Sequence, residues 1–300
     1  MGDVIAARNL VKTYGDLRAV DDVTFAVEAG EVFGILGPNG AGKTTTLEIL
    51  EGLRPADSGE ATLLGHPSWP RDTALLRRIG VQLQASSFFE RLTVREQIRT
   101  FAALYDVPGD TADAWLVTVG LEEKADTRSE KLSGGQLQRL SIACSLVHDP
   151  EIVFLDEPTA ALDPQARRNL WDLLSSLNSD GRTVVLTTHY MDEAEALCDR
   201  VAIMDRGKIL ELDAPAALIR DLGAAIRISV HPAAISTSDA ATLDGVDEVE
   251  RDDASLVMST RDPAAVLSAL ASRRALEGLQ VSGATLEDVF LQLTGREYRA

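Results

Sequence analysis

The segment Gly37-Pro38-Asn39-Gly40-Ala41-Gly42-Lys43-Thr44-Thr45 constrains this chain more than any other stretch. It follows the apolar run Val32 to Leu36 and precedes a helical pattern beginning near Lys43. A buried strand must therefore turn sharply into a helix there. Glycines in such a turn remove Cβ atoms where backbone N–H groups have to point inward together. The helix start adds free N–H groups and the positive end of a dipole. The spacing is that of a phosphate loop, with Lys43 reaching the β- and γ-phosphates and the Thr44 hydroxyl available to Mg²⁺. Nucleotide binding is the expectation this motif sets.

A second segment fits the same chemistry. Ile152-Val153-Phe154-Leu155-Asp156-Glu157-Pro158 is an apolar run closed by adjacent carboxylates. Apolar runs without alternation, here and at Val184-Val185-Leu186, suit strands buried on both faces of a mostly parallel sheet. Beside a phosphate loop, Asp156 is placed to help hold Mg²⁺ and Glu157 to polarise an attacking water. In isolation the same residues read as an Asp-Glu-Pro turn ending a strand. The loop upstream favours the chemical reading.

Leu132-Ser133-Gly134-Gly135-Gln136 reads locally as a helix start. Ser133 and Gln136 form an S-x-x-Q capping box ahead of Leu137, Leu140 and Ile142. With this pentapeptide the sequence resembles the ATP-binding-cassette (ABC) ATPases, whose signature motif it matches. The resemblance implies roles for further residues. Tyr14 resembles the aromatic that stacks on adenine, and Gln84 the glutamine that reaches the metal and the attacking water, with Gln82 a nearby competitor. Asp163 resembles the residue communicating between two sites, although Asp163-Pro164 also reads as a plain helix start. His189, after Thr187-Thr188, resembles the switch histidine that contacts the γ-phosphate. The resemblance implies two ATPs sandwiched between two ATPase subunits, each phosphate loop completed by the other subunit's Ser133-Gly134-Gly135. With a single motif set, the chain then needs a second copy of itself or a related subunit.

The formal net charge of -18 argues against nucleic acid as a partner and against direct adhesion to an anionic lipid surface. No apolar run approaches the length of a membrane span. Residues Met1 to Arg8 have neither the cationic nor the apolar region of a secretory signal. Cys144 and Cys198 have no zinc-site spacing and point to a reducing compartment. The expectation is a cytoplasmic protein, peripheral on the inner face of the cell membrane, held there only through transmembrane permease subunits. Phe88-Phe89-Glu90 resembles the region where ABC ATPases grip a membrane subunit's cytoplasmic helix, and adjacent Phe residues equally suit a core. The phrases Glu48-Ile49-Leu50-Glu51-Gly52 and Gly283 to Phe290 resemble the bacterial exporter subgroup that includes drug- and antibiotic-resistance ATPases. Export is thus the implied function; an importer ATPase, or a soluble ABC ATPase in translation or DNA repair, is the alternative.

The expected fold class is α/β: a phosphate-loop NTPase core with a mostly parallel sheet, an antiparallel β subdomain and an inserted helical subdomain at about 85–148. A nucleotide-binding domain over 1–221 is followed by a small α+β accessory domain over 222–300, where the texture becomes Ala- and Asp-rich. In that second part Arg227 to Val230 reads as a strand, and Pro263 to Ser272 and Thr285 to Leu293 as helices.

Overall fold

A long antiparallel hairpin opens the chain. In β1 (Asp3–Tyr14) and β2 (Leu17–Glu28), Ile5, Ala7 and Leu10 lie buried with Val23, Phe25 and Val27. The turn at Glu28 to Glu31 leads into β3 (Val32–Leu36), buried at every residue, and the glycine loop then opens α1 (Lys43–Leu50). Strands β4 (Ser58–Leu63) and β5 (His66–Pro67) return to the hairpin, giving an antiparallel sheet in the order β2-β1-β4-β5. The short α2 (Thr73–Leu76) precedes β6 (Ile79–Gln82). A helical insertion follows, with α3 (Val94–Leu104), α4 (Gly109–Thr118) and α5 (Gly134–Leu146). Thr93 with Glu96, and Ser133 with Gln136, cap α3 and α5 reciprocally.

The chain then alternates strand and helix through β7 (Ile152–Asp156), α6 (Pro164–Ser179), β8 (Thr183–Thr188), α7 (Met191–Leu197) and β9 (Arg200–Asp205), with β10 (Lys208–Asp213) closing a hairpin. These strands and β3 make a six-stranded sheet in the order β10-β9-β3-β8-β7-β6. All its pairings are parallel except that of β10 on β9. The central β3, β8 and β7 are buried throughout, which explains their unbroken apolar runs. One core joins the two sheets, with Phe25 stacked on Phe33 at 5.0 Å and Leu47 of α1 packed among Ile35, Phe154 and Val185. The chain thus adopts the expected α/β class, with antiparallel sheet, helical insertion and mostly parallel sheet in the expected places. The carboxyl ends of β3, β7 and β8 lie side by side, where open α/β sheets bind ligands.

The computed structural model describes residues 2–83, 88–160, 162–179, 181–252 and 254–295. They divide into two units between Pro215 and Ala216, at the start of α8 (Pro215–Asp221), while the compositional change near residue 222 falls just after that helix. The second unit runs β11 (Ile226–Val230), α9 (Thr237–Ala240), β12 (Val246–Arg251), β13 (Leu256–Thr260), α10 (Pro263–Ser272), β14 (Gln280–Ser282) and α11 (Leu286–Thr294). Its antiparallel sheet has the order β12-β13-β11-β14, so β11 to β14 form a split βαββαβ motif. Ile228, Val230, Leu256 and Met258 pack with Val266 and Leu270 in a core of its own.

Candidate functional site

The phosphate loop is shaped by what its glycines avoid. Gly42, the N-cap of α1, takes φ 104°, and a Cβ there would lie 2.2 Å from the carbonyl oxygen of Ala19. A Cβ on Gly37 would meet the Met204 carbonyl oxygen at 2.1 Å. Between them, Ala41 donates its N–H to the Pro38 carbonyl at 3.1 Å, which turns Asn39 and Gly40 out to solvent. Lys43 folds back over this loop and donates to the carbonyl oxygens of Gly37 and Pro38, at 2.9 and 3.2 Å. Thr44 and Thr45 follow in the first turn of α1, both half-buried.

The carboxylates meet the loop from β7. Asp156 accepts from the Thr44 hydroxyl at 3.2 Å and from the Thr187 hydroxyl. Burial pushes the Asp156 carboxyl up from its ordinary range, and the Thr187 and Thr44 hydrogen bonds oppose that shift. The Thr187 oxygen also accepts from the N–H of Glu157 at 2.9 Å. Glu157 sits in the left-handed region, with φ 46°. One of its oxygens lies 3.2 Å from Lys43 Nζ and the other 3.2 Å from His189 Nδ1. The ends of three neighbouring strands thus bring Lys43, Thr44, Asp156, Glu157 and His189 together. Thr187 joins them without having been singled out in the sequence. Its only signal was position, at the end of a buried strand two residues before His189, with Asp156 as its register partner.

The other residues named from the sequence lie apart from this constellation. Tyr14 ends β1 with its ring 40 % exposed, flanked by Lys12 Nζ at 5.9 Å and the Arg54 guanidinium at 5.4 Å. At the start of α5, Ser133 and Gln136 bond each other at 3.0 and 3.3 Å, and Gly134 faces open space. Gly135 lies beside Ala166 and Leu162. None of the hydrogen bonds of this segment reaches the phosphate loop among the described residues. Asp163 accepts from the N–H groups of Gln165 and Ala166 at 3.0 and 2.9 Å, the helix-capping role its local sequence suggested. Gln84 lies outside the described residues; its competitor Gln82 is buried at the end of β6, donating to the Leu83 carbonyl at 2.5 Å.

The site fits a nucleotide in two respects. Gly37 and Gly42 let the loop's backbone pack closely on Met204 and Ala19, Gly40 is left open, and Lys43 lies across the loop. The family model for ABC transporters matches residues 20–160, which include the loop, the Ser133 segment and both carboxylates. Nod factor export ATP-binding protein I of Burkholderia orbicola is 40 % identical over 298 residues, covering 97 % of this chain and 96 % of its own length. The chain belongs to the ABC transporter family. Within that family it is an ATP-binding subunit and an ATPase. The protein of the same description from Sinorhizobium fredii is 38 % identical over 299 residues, covering 98 % of this chain and 87 % of its own. Among solved structures, an ATP-binding subunit of an ABC transporter aligns with TM-score 0.66 and 26 % identity, over 73 % of this chain and 93 % of that one. A dimeric ATP-binding cassette in a post-hydrolysis state, bound to ADP and Pi, aligns with TM-score 0.65 and 29 % identity, over 70 % and 98 %.

Proposed function

We propose that this ABC ATPase powers export through separate transmembrane permease subunits. ATP is held at the Lys43–Asp156–Glu157–His189 constellation and hydrolysed once a second ATPase subunit, identical or related, closes over it. The observation that carries this reading is the Glu157 carboxylate, held between Lys43 and His189 beside the Thr44–Asp156 pair. Phosphoryl transfer asks a protein mainly for positioning and electrostatic stabilisation. Lys43, with the backbone from Gly37 to Thr45, binds the β- and γ-phosphates. The Thr44 hydroxyl and the Asp156 carboxylate are hard oxygen donors 3.2 Å apart, suited to Mg²⁺, with Gln84 as a further ligand. When bound, that ion neutralises phosphate charge. Glu157 orients the attacking water, and His189 and Gln84 complete the hydrolytic set. Tyr14 stacks on the adenine. The other subunit contributes Ser133, Gly134, Gly135 and Gln136 over the phosphates, and Asp163 at the seam.

The near full-length relatives described as export ATP-binding proteins support export as the direction of transport. Among the described residues no helix is long and apolar enough to cross a membrane. Attachment to the inner face of the cell membrane is assigned to the permease. Its docking place is the cleft of about 410 Å³ between β6 and the helical insertion, lined by Leu76, Val81, Phe88, Phe101, Tyr105 and His148. Phe89, next to Phe88 in the chain, is 59 % exposed. Co-expressed with a transmembrane permease subunit, the chain should follow that protein into detergent extracts. Phe88→Ser with Phe89→Ser should abolish transport while basal ATPase persists. Unchanged transport would remove the docking site, and association with ribosomes or DNA in place of the membrane protein would remove export.

A further inference from the structure

Helix α6 begins where Asp163 caps it, at the end of the loop that leaves Glu157, and α7 begins directly after His189 and Tyr190. Two side chains of α6, four residues apart and so on one face, reach across to that second segment. Arg167 lays its guanidinium over the Tyr190 ring, 3.9 Å from the centroid. Tyr190 in turn contacts the His189 imidazole, with centroids 4.0 Å apart and planes tilted by 41°. Its backbone N–H is fixed on the Thr188 hydroxyl at 2.9 Å. Asp192, in the first turn of α7, lies 3.7 Å from Arg167. One turn further along α6, the Trp171 indole N–H donates to a carboxylate oxygen of Glu193 at 3.1 Å, and Glu193 is fully buried.

Neither link touches the phosphate loop, and the hydrolytic set described above uses neither. Each bridges the same two segments, the one that leaves Glu157 and the one that carries His189. A stacked guanidinium restrains a ring in orientation as well as position, and a part-buried, charge-assisted indole–carboxylate bond is directional. The imidazole facing Glu157 at 3.2 Å is thus backed by a ring that α6 holds.

We infer that Arg167, Tyr190 and Trp171 are positioning residues for ATP hydrolysis, clasping α6 to the segment from His189 to Glu193 so that the imidazole stays aimed at Glu157. This rests on the reading of Glu157 and His189 as hydrolytic residues. The clasp makes the placement of His189 depend on the helix that Asp163 begins, so a displacement of that helix start by a second subunit reaches the imidazole of the same chain.

Steady-state ATPase kinetics of the purified full chain test this. Arg167→Met and Tyr190→Leu should each lower kcat about tenfold while the KM for ATP changes less than about twofold. Tyr190→Phe, which keeps the stacked ring, should stay within about twofold of wild type in both. Since both substitutions break one clasp, the double variant should be no slower than either single, whereas independent structural damage would multiply to about a hundredfold. If Arg167→Met does not fold, Arg167→Lys, which keeps the charge but loses the flat face, takes its place. Wild-type kcat in both single variants, a multiplied loss in the double, or equal losses in Tyr190→Phe and Tyr190→Leu would overturn the inference. His189→Ala separates this from failure of the underlying reading: wild-type turnover in that variant would discard His189's role itself.

Discussion

Glu157 occupies a backbone conformation that residues with a Cβ avoid, at a cost on the order of 1–3 kcal/mol, and the Thr187 hydroxyl accepts its N–H there. Strain of this kind at a strand end aims a carboxylate where an ordinary extended residue would not. A second acidic group follows the opposite logic. Glu51, at the end of α1, is 2 % exposed, and neither carboxylate oxygen has a hydrogen-bond partner among the described residues. Burial, reinforced by Asp156 and Glu48, pushes its pKa from 4.5 to about 8. Between those values the folded chain holds a proton that the unfolded chain releases, so Glu51 makes stability fall as pH rises from 4.5 towards 8. Outside that window its contribution is flat. Glu51→Gln should therefore stabilise the first unit at pH 8, by about 2–4 kcal/mol, and leave it nearly unchanged near pH 4.5. Urea titrations at the two pH values check this, and an equal shift at both would contradict it. Lys43 and Glu157 were legible in the sequence because their spacing is a motif. The role of Thr187 and the burial of Glu51 were not: a Thr in a strand reads as β-propensity, and a Glu at a helix end as a solvated face.

The strands around the site were legible where burial on both faces removes alternation, as in β3, β7 and β8, and helices α3, α5 and α6 where capping residues announce them. β1 is not legible from alternation because register shifts between Ala7 and Val11 break its pattern, with Asn9 at φ 48°. β12 was hidden for another reason. Its sequence Val-Asp-Glu-Val-Glu-Arg lies at the edge of the second sheet, where only Val246 and Val249 turn partly inward. The turn from β3 into α1 is the element on which the site depends most. There Gly42 needs both its left-handed backbone and its missing side chain. Gly42→Ala should therefore push the loop away from Ala19, weaken ATP binding at least about tenfold and destabilise the fold by about 1–3 kcal/mol. Titration with a fluorescent ATP analogue measures the first effect. Wild-type affinity would show that the loop does not need this approach.

The split between a cassette-like first unit and a βαββαβ second unit follows from two separate apolar cores; the nucleotide motifs from Tyr14 to His189 all fall in the first, and the exporter-like phrase Gly283 to Phe290 falls in the second. Within one chain the Ser133 segment and the phosphate loop share no hydrogen bond among the described residues, and Ser133 and Gly134 are exposed. Two glycine-bearing helix starts left apart in one chain are, in the proposed function, completed by pairing with a second chain. Because Glu157 is assigned to the attacking water and not to binding, Glu157→Gln should hold ATP without consuming it. The molar mass of that variant, measured by light scattering with ATP and Mg²⁺, is the decisive quantity. The expected result is a dimer with ATP, a monomer without it, and a monomer again when Ser133→Arg is added. A variant that stays monomeric at saturating ATP, or that dimerises equally well with Ser133→Arg, would contradict closure of two chains around one triphosphate.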